Sequence, residues 1–338
     1  MTDEPPAKRQ RTSSPDPATP TRSDKFWLPY GDIVLVVNLT MFRVNRDVLR
    51  LQSSVFSDMF SVPQPNEGQS TIEDCPVVHL SGDDVGDWNL VLDALYHPWR
   101  QKLRLEVDMI CAMLRLGRKY DMIEVTSNAL ARVRNDFPGD FEQWADIPDG
   151  GDMVDSQPET AALLQLLETA HEFGLWRSYP TIAYGILLWM PISKLAETFP
   201  HPKQNISPDR KLVLAVAAKA ITEHQKEQLA WLLTDETIPS DACTSPETCA
   251  SLRTTILRRM LWGPESEEPQ VKMTMLWHWA GSMLGTWTEK LCKECNEAGR
   301  PVFQQHRDDA WAKLPTFFGL SPWEELKDAL ELETEDSA

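Results

Sequence analysis

Two cysteines in the last sixth of the chain have the spacing of a metal-ligand pair. Cys292 and Cys295 form a C-x-x-C sequence, and zinc takes four soft or borderline ligands in a tetrahedron. Further ligands could come from Cys243, Cys249, His278 and His306. A single C-x-x-C is a weaker signal than two paired ones, so buried or exposed free thiols are the competing interpretation. A thioredoxin-like redox role needs a βαβ context, which is missing here.

Motifs that would support catalysis are missing from the sequence. It contains no HExxH, GxxxxGK[ST] or GxGxxG pattern, and the Gly-x-x-x-Gly at 281–285 has no preceding strand to make it a nucleophile elbow. The seven histidines are scattered, which favours solvated or hydrogen-bonded side chains over catalytic bases. We therefore expect no enzymatic activity, no catalytic residues and no cofactor.

Hydrophobic periodicity divides the chain into two differently built regions. β-Branched and apolar runs at 33–37, 41–44 and 77–80 predict three strands, and apolar residues at helical spacing follow from Trp88 onward. The block 26–136 is therefore predicted to be α+β, a small sheet followed by paired helices. Beyond it, helical spacing without strand-like runs predicts an all-α region over 159–332. Within this region we predict a long helix over 271–298 that ends at Gly299.

Three segments fall outside these regions. Residues 1–25 are rich in Pro, Ser and Thr and poor in apolar side chains, which predicts disorder. Their basic residues could form a nuclear import signal or an incidental charge cluster: Lys8, Arg9 and Arg11. Residues 137–158 are acidic and rich in Gly and Pro, so we predict a linker or loop, and 333–338 is predicted to be an acidic tail.

Charge and composition narrow the classes of partner. The 338 residues include 33 Lys and Arg against 51 Asp and Glu, a formal charge of −18. The electric field of this negative charge repels the phosphate groups of nucleic acids and anionic lipids. We therefore expect no direct nucleic-acid binding and no membrane binding. No apolar stretch approaches the ~20 residues of a membrane span, and the N-terminal sequence has no apolar signal segment. Six cysteines without such a signal indicate reduced thiols in the nucleus or cytoplasm.

Four segments of the 26–136 block resemble the BTB/POZ domain family in sequence, order and spacing. They lie at 31–33, 42–49, 53–60 and 114–122. The sequence departs from the family pattern at Asn45, where a histidine is usual, and in a longer loop at 63–74. With its basic tail and the ending Leu-Pro-x-x-Phe-x-Leu-x-x-Trp-Glu-Glu at 314–325, the whole chain is similar to fungal BTB proteins.

The resemblance implies a protein–protein interaction module, a homodimerising adaptor without catalysis. It would recruit a partner to a cullin-type ubiquitin ligase or to a nuclear regulatory complex containing a transcriptional corepressor. The alternative function is of another class: the helical region would be stabilised by zinc and would support nucleic-acid or partner binding. In the family, the first helices and the N-terminal strand form the two-fold interface. The matching residues here are Phe26, Trp27, Leu28, Val48, Leu51 and Val55.

Each of these interface residues could instead belong to the ordinary core. Phe26 and Trp27 precede the first predicted strand, which makes them better candidates for a contact surface. The resemblance also places Asp32 and Arg46 in a charged pocket at the dimer interface. The simpler alternative, which we favour, is a local cap and surface ion pair worth less than ~1 kcal/mol.

Overall fold

The computed structural model describes residues 19–62, 70–98, 106–146, 160–262, 274–281 and 284–329. The chain divides into two compact units, with the boundary between Tyr96 and His97. Of the predicted elements, the basic residues Lys8, Arg9 and Arg11 and the acidic tail at 333–338 lie outside the described residues.

The first unit is built on a five-stranded sheet. Its strands are β1 (Thr21–Trp27), β2 (Ile33–Val37), β3 (Thr40–Val44), β4 (Thr71–Ile72) and β5 (Cys75–Leu80), in the spatial order β1-β3-β2-β5-β4. β2 and β3 form an antiparallel hairpin that pairs Ile33 with Val44, while β2 pairs with β5 in parallel. All five residues of β2 are apolar and buried, as a central strand covered on both faces requires.

Three helices accompany this sheet: α1 (Arg46–Gln52), α2 (Ser54–Ser61) and α3 (Val85–Tyr96). Trp88 of α3 is fully buried and meets Phe56 of α2 edge-on, with ring centroids 6.0 Å apart. The indole Nε1 of Trp88 donates to Asp83 Oδ2 over 2.8 Å. The aromatic pair therefore anchors α2 through its buried side, and the other side of α2 faces solvent.

The start of the sheet differs from the prediction. The three predicted strands are present as β2, β3 and β5, but residues 21–25, predicted to be disordered, belong to β1. β1 is mostly polar, and its order comes from parallel pairing with β3 and from burial of Phe26. Pairing with β3 and the burial of one aromatic side chain therefore order a segment whose composition is typical of a disordered tail.

The second unit contains nine α-helices among its described residues and no strand. They are α4 (Val107–Lys119), α5 (Ile123–Asp136), α6 (Phe141–Asp146), α7 (Thr160–Glu172), α8 (Tyr179–Trp189), α9 (Pro208–Gln228), α10 (Pro246–Trp262), α11 (Gly285–Thr288) and α12 (Lys293–Phe317). Together with the sheet of the first unit, they confirm the predicted α+β class. Within the described ranges, no helix has the length and apolar character needed to cross a bilayer.

Two predictions for the helical region differ from the structure in part. The segment 137–158 was predicted to be a linker or loop, but its described part contains α6, whose Trp144 is buried with its ring 5.8 Å from that of Trp311; residues 147–158 lie outside the described residues. Of the long helix predicted over 271–298, residues 293–298 belong to α12, whereas the described residues 274–281 and 284–292 form turns and the short α11. Gly299, predicted to end that helix, lies inside α12, where a Cβ atom would come within 3.0 Å of Trp279. A larger residue here would make Trp279 shift, so the glycine allows α12 to approach this ring closely.

Candidate functional site

An exposed apolar surface lies on the solvent side of α1 and α2. Leu51 near the end of α1 is 82% exposed, Val55 at the start of α2 is 37% exposed, and Val62 follows α2 with an exposed side chain. Val48 of α1 is half-buried beside them. We call Val48, Leu51, Val55 and Val62 the α1–α2 face. Large apolar side chains grouped this way are typical of interaction surfaces.

The turn between the two helices fixes this face. Ser53 is buried, and its Oγ accepts a hydrogen bond of 3.0 Å from the backbone N–H of Phe56, which caps α2. The cap places Val55 one residue after the start of α2 and Leu51 at the last turn of α1. The cap therefore helps to fix where α2 begins relative to α1.

Replacing Ser53 with alanine should lower the free energy of unfolding by about 1 kcal/mol, because an N-cap of α2 is lost. Chemical denaturation of the full-length protein measures the change. Ser54→Ala is the matched control, since Ser54 is exposed and lies one residue past the cap position. Equal effects of the two substitutions would show that the cap has no special role.

The other predicted interface residues lie elsewhere. Phe26, a preferred contact residue, is only 2% exposed and packs inside the first unit near the ring of Tyr96, which corrects its assignment to a surface. Trp27 is half-buried beneath the guanidinium of Arg22, 4.6 Å from the ring centroid. Leu28 is half-buried and its backbone N–H donates to Arg43. The N-terminal strand is thus paired within its own chain.

Asp32 and Arg46 form a local contact. Asp32 Oδ1 accepts a 2.8 Å hydrogen bond from the backbone N–H of Arg46, and the two charged groups approach to 3.9 Å. The Asp32 side chain is more than half exposed, and solvent screens such pairs to less than about 1 kcal/mol. This geometry supports the reading of a surface pair at the start of α1.

Four cysteines of the second unit converge on one point. The Sγ atoms of Cys243, Cys249, Cys292 and Cys295 all lie within 4.8 Å of one another. From the sequence we predicted Cys292 and Cys295 as metal ligands, with two further cysteines and two histidines as possible partners. The structure brings all four of these cysteines together. The two histidines lie apart from this cysteine cluster, because His278 contacts Arg307 and His306 stacks on Trp231.

Two helix starts position the sulfur atoms. Cys249 lies in the first turn of α10, Cys292 is the N-cap of α12, and Cys295 is the third residue of α12. Cys243 comes from the segment before α10 and is half-buried. The N-terminal ends of helices carry partial positive charge and stabilise thiolates. The cluster borders an apolar core that includes Leu291, Trp279 and Phe303.

Every sulfur of the cysteine cluster has a backbone N–H donor. Ser240 N–H donates to Cys295 Sγ over 3.3 Å, Ser245 N–H to Cys243 Sγ over 3.4 Å, and Cys292 N–H to Cys249 Sγ over 3.4 Å. Cys292 Sγ accepts from the backbone N–H groups of Cys295 and Thr244. Such donors compensate negative charge on sulfur.

The pKa values of these thiols diverge. Burial raises the pKa of Cys243 to about 12, and it also raises the pKa of Cys249. Burial acts in the same direction on Cys292, but the N–H groups of Cys295 and Thr244 outweigh it and lower the pKa of Cys292 to about 7. Burial and the backbone donors therefore act on the pKa values of these neighbouring thiols in opposite directions.

Comparison with known families identifies one region. Residues 24–133 match the family model of the BTB/POZ domain, a protein-interaction domain. The matched segment begins in β1, includes α1 and α2, and ends in α5. No curated protein matches the sequence.

Proposed function

We propose that this chain, which carries an N-terminal BTB/POZ domain and is thereby a protein–protein interaction module, self-associates through the α1–α2 face and acts as a homodimeric adaptor. One observation carries the proposal. Leu51 is 82% exposed near the end of α1, and Val55 and Val62, at the two ends of α2, are exposed as well. A second copy of the same face would cover these side chains in an isologous contact.

The energetics favour this arrangement. Burying a leucine side chain stabilises a complex by about 1.5–3 kcal/mol. In a two-fold symmetric dimer each side chain of the interface is buried twice, once in each copy. Both copies of Leu51 would then contribute about 3 kcal/mol or more, a factor of at least 100 in the dissociation constant. The formal charge of −18 opposes association, so the apolar contact has to outweigh the repulsion between the two copies.

Recruitment would use a different part of the chain. On α9 of the second unit, Leu212 and Val216 are exposed one helical turn apart, and Trp189 at the end of α8 is half exposed. We assign the bound partner to the second unit and the assembly to a cullin-type ubiquitin ligase or a nuclear regulatory complex. Both assemblies fit a protein located in the nucleus or cytoplasm.

Leu51→Lys tests self-association. The lysine suits the C-terminal end of α1, where the helix dipole favours a cation, so the fold should be retained. The two copies of the new charge would meet in the dimer, and we expect the dissociation constant to rise about 100-fold or more. Sedimentation velocity of the full-length protein over a concentration series measures it.

Leu39→Lys is the matched control, because Leu39 is half exposed in the turn between β2 and β3, outside the α1–α2 face. It should leave the dissociation constant unchanged. A monomeric wild-type protein at all concentrations, or equal weakening by both substitutions, would contradict the proposed interface.

Affinity purification from native cells, with mass spectrometry of the captured proteins, distinguishes the two assemblies. A cullin scaffold recovered with wild-type protein but lost with a variant lacking residues 26–136 supports the ligase role. Corepressor or chromatin subunits without a cullin support the nuclear role. Recovery of neither would contradict the adaptor function.

A further inference from the structure

We propose that Cys243, Cys249, Cys292 and Cys295 bind a single structural Zn²⁺ ion. The four side chains form a closed set of ligands, with one sulfur for each corner of a tetrahedron. Within the described residues this is the only grouping of cysteine, histidine and acidic side chains that converges closely enough to hold a metal ion.

The distances match a zinc–thiolate site. Zinc–sulfur bonds of about 2.3 Å in a regular tetrahedron give sulfur–sulfur separations of about 3.8 Å. The Sγ atoms of Cys243 and Cys292 are 3.7 Å apart, and the largest separation in the cluster is 4.8 Å at most. A volume of this size holds one ion. A set of four sulfur ligands is typical of zinc or iron among the common metals.

The surroundings support a metal in place of a disulfide. A disulfide requires sulfur atoms about 2.05 Å apart, and all four cysteines are free thiols here. The backbone N–H donors to all four sulfurs are the outer contacts that hold thiolate ligands in place and share their charge.

The site would join parts of the chain that are distant in sequence. It connects the segment before α10, the first turn of α10 and the start of α12, next to the core formed by Ile238, Trp279 and Phe303. All four ligand positions are occupied by protein, so no position is open for water or substrate. This arrangement is that of a structural site and not of a catalytic one.

Metal analysis of the full-length protein tests the proposal. Protein purified under reducing conditions without chelators should contain about one zinc per chain. Substitution by Co²⁺ should give the intense visible absorption of a tetrahedral cobalt–thiolate centre. A wild-type protein that contains no zinc and takes up neither added Zn²⁺ nor Co²⁺ would overturn the proposal, and so would stoichiometric iron.

Two variants identify the ligands. Cys243→His keeps a zinc-binding group at a half-buried position of the site, so metal should be retained while the cobalt absorption shifts and weakens. Cys292→Ser with Cys295→Ser should abolish metal binding. The matched control is Cys111→Ser, a buried cysteine of α4 outside the cluster, which should keep full zinc content and an unchanged spectrum. An unshifted spectrum in Cys243→His would rule out Cys243 as a ligand.

Discussion

Zinc removal from the full-length protein should lower its free energy of unfolding by about 4 kcal/mol or more. This expectation rests on the proposed zinc site. An ion that binds only the folded state stabilises it by about 4 kcal/mol when free zinc exceeds the dissociation constant roughly 1,000-fold. Domains have total stabilities of about 5–15 kcal/mol, so much of the helical unit's stability would depend on the metal.

The measurement is thermal and chemical unfolding with and without a zinc-selective chelator. Trp231 and Trp279 pack in the core next to the cysteine cluster, so their fluorescence should shift to longer wavelength when zinc leaves. Re-addition of Zn²⁺ should restore both signals, and a calcium-selective chelator should have no effect. An unfolding curve that does not respond to chelation would contradict a structural role of the metal.

Truncation of Trp88 to alanine should destabilise the first unit by about 3–5 kcal/mol, the usual cost of removing a fully buried large aromatic side chain. The substitution removes the edge-on contact with Phe56 and the indole hydrogen bond to the buried carboxylate of Asp83. Because Phe56 anchors α2, the α1–α2 face should lose its order as well. Self-association should therefore weaken together with stability.

Trp88→Phe separates the two contributions. Phenylalanine retains the apolar packing but cannot donate to Asp83, so we expect a loss of about 1–3 kcal/mol. Urea denaturation monitored by circular dichroism measures both variants. Leu51→Lys provides the contrast, since it should weaken association without reducing stability. A Trp88→Ala protein as stable as wild type would contradict the assignment of Trp88 to the core.

Much of the first unit could be predicted from local patterns. β2, β3 and β5 consist mostly of apolar residues, and α3 shows helical spacing from Trp88 onward. The local sequence is therefore enough to predict each of these elements. β1 does not, because Thr21–Trp27 is mostly polar and its order depends on pairing with β3. Whether such a segment forms a strand depends on pairing with residues distant in sequence, and this pairing cannot be predicted from the periodicity of the segment itself.

The candidate sites were only partly predictable. The C-x-x-C of Cys292 and Cys295 identified half of the cysteine cluster, and the pair at 243 and 249 lay among several possible partners. Which pair completes it depends on how α10 meets α12, a tertiary contact that no local pattern encodes. Phe26 was misplaced for the same reason, since only the folded chain shows that its side chain turns inward.

The long helix α12 connects two separate parts of the second unit. It continues through Pro301 for 25 residues, a length of about 37 Å, from the cysteine cluster at its start to Trp311 and Leu314 near its end. Trp311 stacks on Trp323 and meets Trp144 of α6. The same helix therefore contributes Cys295 to the cysteine cluster and Trp311 to the aromatic group formed with Trp144 and Trp323.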